Sequence, residues 1–357
     1  MPRSPGGLAA PQGETLPRED ALPDEAPQRS GPASVARGQA LGSCARPLAQ
    51  AYDAALYDLD GVLYLGPDPV PHAAESVAAA TAVGLRPAYV TNNASRRPAS
   101  VAAHLSELGI PARPEDVVTS AQAAARWLAE RLPAGSPVLV LGTEELAEEI
   151  RAAGLEDVRA ADPSTAAVVQ GLAPDTGWKD LAEAAVAIRA GALWVAGNAD
   201  STYPSSRGPL PGNGAMVAAL RTATGVDPVV VGKPEPALHR ESVERVGARR
   251  PLVVGDRLDT DVLGAVRGGA DSLLVLTGVV DREELLAAPA GSRPTYVSSD
   301  LRALLVPQHP VVLEAAVARC ADATARWDGD ELVVDGGGDD ALRAACALAW
   351  SRADAAV

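Results

Sequence analysis

Short apolar runs alternating with helical segments begin near residue 52, and this alternation limits the fold more than any other feature. Ala54–Tyr57, Pro87–Val90, Val138–Leu141, Ala166–Val169, Ala192–Ala196, Val229–Val231, Leu252–Val254, Ser272–Leu276 and Thr295–Val297 each read as a buried strand. Ser76–Val83, Ala99–Leu108, Ala121–Leu132, Trp178–Arg189, Ala215–Thr222 and Leu238–Val246 read as helices; in Trp178–Arg189, Leu181, Ala185 and Ile188 fall at helical spacing. Strands that are apolar throughout are covered on both faces, as in a parallel sheet flanked by helices. The expected class is α/β.

A chain of 357 residues suggests about two domains. Residues 1–48, rich in Pro, Gly, Ala and charge and without periodicity, read as a disordered leader with no assigned chemistry. The expected division is one discontinuous domain over 49–97 and 228–306, an α/β domain inserted over 98–227, and a small α+β appendage over 307–357. In the appendage, Thr324–Trp327 and Glu331–Val334 flank Asp328-Gly329-Asp330 as a hairpin, and Ala341–Trp350 reads as a helix. Gly336-Gly337-Gly338 reads as the loop between them.

The net charge of −15 argues against a nucleic-acid partner, because counterion displacement needs a basic surface and no Lys/Arg cluster supplies one. It also does little to attract an anionic membrane. No apolar run approaches bilayer length, so no membrane insertion is expected. Cys44, Cys320 and Cys346 are widely spaced and fit a reduced cytoplasm. Arg carries nearly all the positive charge; Lys179 and Lys233 are the two lysines. Self-association into a homo-oligomer is left open.

The first strand runs into Asp58-Leu59-Asp60-Gly61. On an extended backbone, residues i and i+2 point to one side, so Asp58 and Asp60 meet where the strand ends. Gly61 permits a sharp turn there. Adjacent carboxylates repel unless a cation or a shared proton separates them, and an oxygen-only set suits Mg²⁺. A calcium loop would continue with polar residues, whereas Val62-Leu63-Tyr64-Leu65 follow. Three more strands end in polar groups: Thr91 with Asn92, Lys233, and Asp256. Alone, these could be a helix cap, a solvated lysine and an acidic turn. Ligands bind beyond the carboxyl ends of parallel strands, and four such endings would converge on one crevice.

Asp58-Leu59-Asp60-Gly61, Thr91-Asn92-Asn93, Gly232-Lys233-Pro234 and Gly255-Asp256-Arg257-Leu258-Asp259-Thr260-Asp261 resemble the four ordered motifs of the haloacid dehalogenase superfamily. The resemblance covers roughly residues 50–306, and the insert resembles the type IIA (C2) cap. Gln170-Gly171-Leu172, the Asn198–Pro204 segment and Pro211-Gly212-Asn213-Gly214 are similar to phosphatases of phosphoglycolate and nucleotides. Thr91–Arg96, Thr176–Leu181 and Ala187–Ala196 look like glycerol 3-phosphate phosphatases of mycobacterial type. Gly197 and Ala199 depart from the Thr and Pro that many relatives carry, which loosens the inference on substrate. Such phosphatases carry a longer C-terminal segment that resembles an acetyltransferase fragment; the tail here is too short for a full acetyltransferase domain, and no such activity is expected.

The resemblance implies a Rossmann-like core with a C2 cap and a Mg²⁺-dependent phosphomonoester hydrolase. Asp58 would be the nucleophile, forming an aspartyl-phosphate, and Asp60 the general acid and base. The Asp58 carboxylate, the Asp60 backbone carbonyl and Asp256 would hold Mg²⁺, with Asp261 orienting the metal site or Lys233. Thr91, Asn92, Asn93 and nearby amides would bind phosphoryl oxygens, and Lys233 would neutralise charge. Asn198 and Asp200, with the loop residue Arg207, are candidate substrate contacts. The substrate implied is a small phosphorylated metabolite, glycerol 3-phosphate first, with phosphoglycolate or a nucleotide as alternatives. A phosphotransferase or mutase shares these motifs. A non-catalytic sensor would lose a carboxylate, and a dehalogenase would lack the acid at position 60.

Overall fold

The computed structural model describes residues 40–203, 207–314 and 316–355. In chain order its parallel strands are β1 (Ala54–Tyr57), β2 (Arg86–Thr91), β3 (Val117–Thr119), β4 (Pro137–Leu141), β5 (Glu156–Val158), β6 (Ala167–Gln170), β7 (Leu193–Ala196), β8 (Val229–Val230), β9 (Pro251–Gly255), β10 (Asp271–Val275) and β11 (Tyr296–Ser298). They form two sheets, ordered β11-β10-β9-β1-β2-β3 and β8-β7-β6-β4-β5.

The first sheet is buried on both faces, as its unbroken apolar strands require. Ala55 and Tyr57 pack with Tyr89, Leu252 and Val254 on one side. Ala54 and Leu56 pack with Ala88, Val90 and Val253 on the other. β1 lies between β2 and β9, with Tyr57 opposite both Tyr89 and Val254. This register brings the chain segments after Tyr57, Thr91 and Gly255 to one edge.

Sheet pairing moves two expected boundaries, and backbone hydrogen bonds move a third. β3 pairs with β2, so the chain stays with the first sheet through Thr119 instead of leaving it at residue 98. β8, expected in the first sheet, pairs with β7 and closes the second. Residues 40–48, expected within a disordered leader, are tied down: Gly42 N–H donates to the Thr295 carbonyl at 2.8 Å, Cys44 and Gln308 exchange backbone hydrogen bonds, and Leu48 is fully buried. Residues 1–39 lie outside the described residues.

The appendage is an antiparallel sheet of β12 (Val311–Glu314), β13 (Val317–Cys320), β14 (Ala323–Asp328) and β15 (Glu331–Asp335), in that order. The expected hairpin is its β14–β15 half. Helix Gly338–Ala355 covers it through Ala344 and Leu348. The same helix packs Leu342, Cys346 and Trp350 against Leu285 and Val297 of the core. Arg293, itself buried, clasps Asp354 with bonds of 2.7 and 2.8 Å. Trp350 is 2 % exposed and donates to the Leu285 carbonyl at 3.0 Å. Emptying that position leaves a large cavity, and Trp350→Ala is expected to cost about 3–5 kcal/mol. A lowered urea midpoint would report it; an unchanged midpoint would make the helix a passenger on the core.

Candidate active site

β1 ends at Tyr57, but Asp58 N–H continues its ladder to the Val254 carbonyl at 2.8 Å, which aims the Asp58 side chain at the end of β9. The chain then turns at Gly61, whose φ of 84° favours glycine. A Cβ on Gly61 would lie 2.3 Å from Asp256 Oδ2, and one on Gly278 2.0 Å from it. Bare backbone on both sides is what lets Asp256 sit wholly buried between two loops.

Lys233 Nζ donates to Asp58 Oδ1 at 2.5 Å and to Asp261 Oδ1 at 2.7 Å. Lys233 is 5 % exposed, Asp261 1 % and Asp256 0 %. Carboxylate oxygens of Asp58, Asp256 and Asp261 all lie within 4.8 Å of one another. Three carboxylates against one ammonium leave two negative charges over. Burial opposes the Lys233 charge most strongly, but Asp261 and Asp58 outweigh it and hold the ammonium protonated well above the usual range. Burial pushes the Asp58 carboxyl up to about 8; Lys233 pulls it down, and Asp261 and Asp256 add to the rise. Burial and the neighbouring Asp261 push Asp256 up to about 6.

Asn92 occupies the turn after β2, and its side chain is not available in the expected way. Its Oδ1 accepts from Lys233 N–H at 2.7 Å, and its Nδ2 donates to the Lys233 carbonyl at 3.1 Å and to Asp200 Oδ2 at 3.5 Å. The carboxamide positions the backbone of Lys233 instead of reaching toward a ligand. The Asn92 carbonyl accepts from Ser120 Oγ at 2.6 Å and Asn198 Nδ2 at 2.8 Å. Asn198 is thereby committed to a strap between β7 and β2, its Oδ1 accepting from Asp200 N–H at 3.2 Å. Asn93 Oδ1 accepts from the amide and hydroxyl of Ser95, both at 2.7 Å, which spends it on a turn. Thr91 is buried and its Oγ1 accepts from Asn93 N–H at 3.1 Å, leaving its own O–H to donate. Arg207 is exposed.

These groups line a cavity of about 1050 Å³. Asp58, Asp60, Thr91, Lys233 and Asp256 line it, together with Tyr64, Arg96, His104, Asp200, Tyr203 and Arg257. Asp60 is exposed to this space outside the three-carboxylate cluster; partial desolvation by the surrounding walls raises its carboxyl while Arg96, Lys233 and His104 lower it. Tyr64 meets His104 edge-on, ring centroids 5.0 Å apart. Sequence reasoning missed Tyr64, Arg96, His104, Arg257 and Thr260 as lining residues. For Arg257 and Thr260 the position beside Asp256 was a usable signal; His104 enters from a helix and carried none.

Two family models match the chain: a haloacid dehalogenase-like hydrolase over residues 55–156 and a HAD-hydrolase-like model over 230–304. The D-glycerol 3-phosphate phosphatase of Mycobacterium tuberculosis is 50% identical over 316 residues, spanning 85% of this chain and 88% of its own length. The chain belongs to the haloacid dehalogenase-like hydrolases. An acid sugar phosphatase of Staphylococcus saprophyticus is 37% identical over 71% of the chain and 97% of its own length. Among structures similar to this hydrolase, the glycerol phosphate phosphatase of M. tuberculosis in complex with magnesium has a TM-score of 0.78 at 49% identity, covering 86% of this chain and 92% of that one. The p-nitrophenyl phosphatase of Archaeoglobus fulgidus has a TM-score of 0.66 at 32% identity, covering 71% and 98%.

The acidic cluster of this hydrolase fits a divalent cation. Asp256 Oδ2 accepts from Val279 N–H at 2.7 Å, but its buried Oδ1 has no hydrogen-bond partner among the described residues. An orphaned carboxylate oxygen, an all-oxygen donor set and two surplus negative charges suit a hard ion such as Mg²⁺. Without the ion, Asp58 and Asp256 keep protons in the folded state that the unfolded chain sheds near pH 4, so their contribution to stability falls as pH rises from about 4 to 8. A bound cation displaces those protons. Millimolar Mg²⁺ is therefore expected to raise Tm at least about twofold more at pH 8 than at pH 5. Equal shifts at both pH values would put the ion elsewhere.

Proposed function

We propose that the chain is a Mg²⁺-dependent phosphomonoester hydrolase whose substrate is a small phosphorylated metabolite, glycerol 3-phosphate first. The observation that carries the reaction type is the buried Lys233 held between Asp58 and Asp261, with Asp256 beside them. The substrate rests on the similarity to a D-glycerol 3-phosphate phosphatase along most of both chains.

Asp58 attacks phosphorus and becomes the aspartyl-phosphate, while the P–O bond to the leaving alcohol breaks. Asp60, two residues on and facing the cavity, gives the alcohol oxygen its proton and later takes one from the hydrolytic water. Partial desolvation by the cavity walls raises its carboxyl, which favours the protonated form needed for the first step. Asp58, Asp256 and the Asp60 carbonyl would hold Mg²⁺, which when bound keeps Asp58 ionised and offsets charge on the transferring group, while Asp261 holds Lys233 in place. Lys233 neutralises the nucleophile and the equatorial oxygens, and the Thr91 hydroxyl donates to one of them. Asn92 keeps the Lys233 backbone in place. The second sheet serves as the cap, strapped to the site through Asn198 and Asp200, and limits entry of bulk water.

Cys44, Cys320 and Cys346 are all free thiols, in keeping with a cytoplasmic location. No helix among the described residues is long and apolar enough to cross a membrane. Nothing in the reading calls for a nucleic-acid partner.

Asp58→Asn keeps the shape of the side chain and removes the nucleophile. Phosphate release from glycerol 3-phosphate is expected to fall by about 10³-fold or more, with circular dichroism showing that the fold is kept. Substantial Mg²⁺-dependent turnover by a folded variant would refute the assignment. Steady release by the natural chain without an added alcohol acceptor separates a hydrolase from a phosphotransferase.

A further inference from the structure

Clearance dictates the glycine at position 61. A Cβ there would lie 2.3 Å from Asp256 Oδ2, so no larger residue fits the turn. The residue that clears this space is also the one whose backbone is least restrained by its own sterics. A turn built on it needs fastening from outside if the groups around it are to hold one geometry.

Both peptide groups of Gly61 are fastened. Its N–H donates to the Tyr64 carbonyl at 2.8 Å, within the turn. Its carbonyl accepts from Thr277 Oγ1 at 2.6 Å, a partner 216 residues away. Thr277 stands in the loop that follows β10. Two residues on, Val279 N–H donates to Asp256 Oδ2 at 2.7 Å, and Val280 N–H donates to the Asp256 carbonyl at 3.2 Å. With Oδ2 held, the Asp256 oxygen left without a partner among the described residues is Oδ1. One short loop thus grips Asp256 with its amides and the turn after Asp58 and Asp60 with a hydroxyl. Thr277 is half-buried and is not among the residues that line the cavity, so it acts through its neighbours and not on a ligand.

Resting on the Mg²⁺ reading above, we propose that Thr277 is a positioning residue for the cation: its hydroxyl locks the Gly61 turn to the loop that holds Asp256. The Asp60 carbonyl shares a rigid peptide plane with the Gly61 nitrogen, so drift at Gly61 turns that oxygen away from the cluster. The hydrogen bond from Thr277 removes that freedom and fixes the spacing between the two halves of the cation site.

Thr277→Val keeps the shape of the side chain and removes the donor, whereas Thr277→Ser keeps the donor. Loss of one neutral hydrogen bond weakens Mg²⁺ binding by Thr277→Val about 3- to 10-fold in titration calorimetry, and Thr277→Ser binds as the natural chain does. Amide hydrogen exchange over residues 58–64 of the metal-free protein speeds up in Thr277→Val and not in Thr277→Ser. At saturating Mg²⁺ the KM for glycerol 3-phosphate stays unchanged in both. Circular dichroism checks folding, and Thr277→Ala removes the same donor should the valine not be tolerated. Equal Mg²⁺ affinity in the natural chain and in a folded variant lacking the hydroxyl overturns the assignment. So does a Thr277→Ser variant as weak as Thr277→Val, which would mean that packing and not the hydroxyl holds the turn. Absence of Mg²⁺ binding by the natural chain would overturn the cation site itself, and this assignment with it.

Discussion

The ammonium of Lys233 between Asp58 and Asp261 is the interaction on which the rest of the site depends. A buried charge is tolerated only when its partners are close and well placed, because desolvation costs several kcal/mol per ion. Those partners come from chain segments 175 and 28 residues away from the lysine. The fold must therefore deliver Asp58, Lys233 and Asp261 to one point. β1 and β9 do so by lying side by side in parallel register, so that Asp58 and Asp256 leave the sheet at the same edge.

Lys233 itself is delivered differently. The strand that precedes it, β8, belongs to the second sheet, so the lysine sits on the return from one sheet to the other. A connection of that kind would be loose without anchors. Asn92 supplies one by bonding both the amide and the carbonyl of Lys233, while its own carbonyl accepts from Asn198 and Ser120. One residue thus joins the first sheet, the second sheet and the cation. This arrangement accounts for why the carboxamide is not free: a donor aimed at a ligand would leave the Lys233 backbone without partners, and buried unpaired backbone groups are costly.

The strand ends were legible in the sequence because apolar runs buried on both faces need no tertiary information to be recognised. Asp58, Asp256 and Lys233 followed from that pattern, and the structure brings them together. β3 was lost because Val117–Thr119 is too short to show a period, and its pairing with β2 is decided by packing. β8 was assigned to the wrong sheet for a related reason: two residues cannot declare their neighbour. β12 and β13 went unseen because the exposed Val312 and Leu313 break the alternation expected of a strand with one wet face. Residues 40–48 looked disordered by composition, yet a few backbone bonds to Thr295 and Gln308 hold them. The direction in which Asn92 spends its side chain depends on a partner 141 residues away, which no local pattern contains.

The same burial that assembles the acidic cluster works against its use. Left to itself, Asp58 keeps a proton near neutral pH, and a protonated carboxyl is a poor nucleophile. Lys233 alone does not correct this, because its single charge is shared with Asp261 while Asp256 adds repulsion. Two further positive charges at the orphaned Asp256 oxygen would restore balance and ionise Asp58 in one step. Stability at high pH and readiness of the nucleophile would then have one cause, so a substitution that weakens cation binding should lower both together.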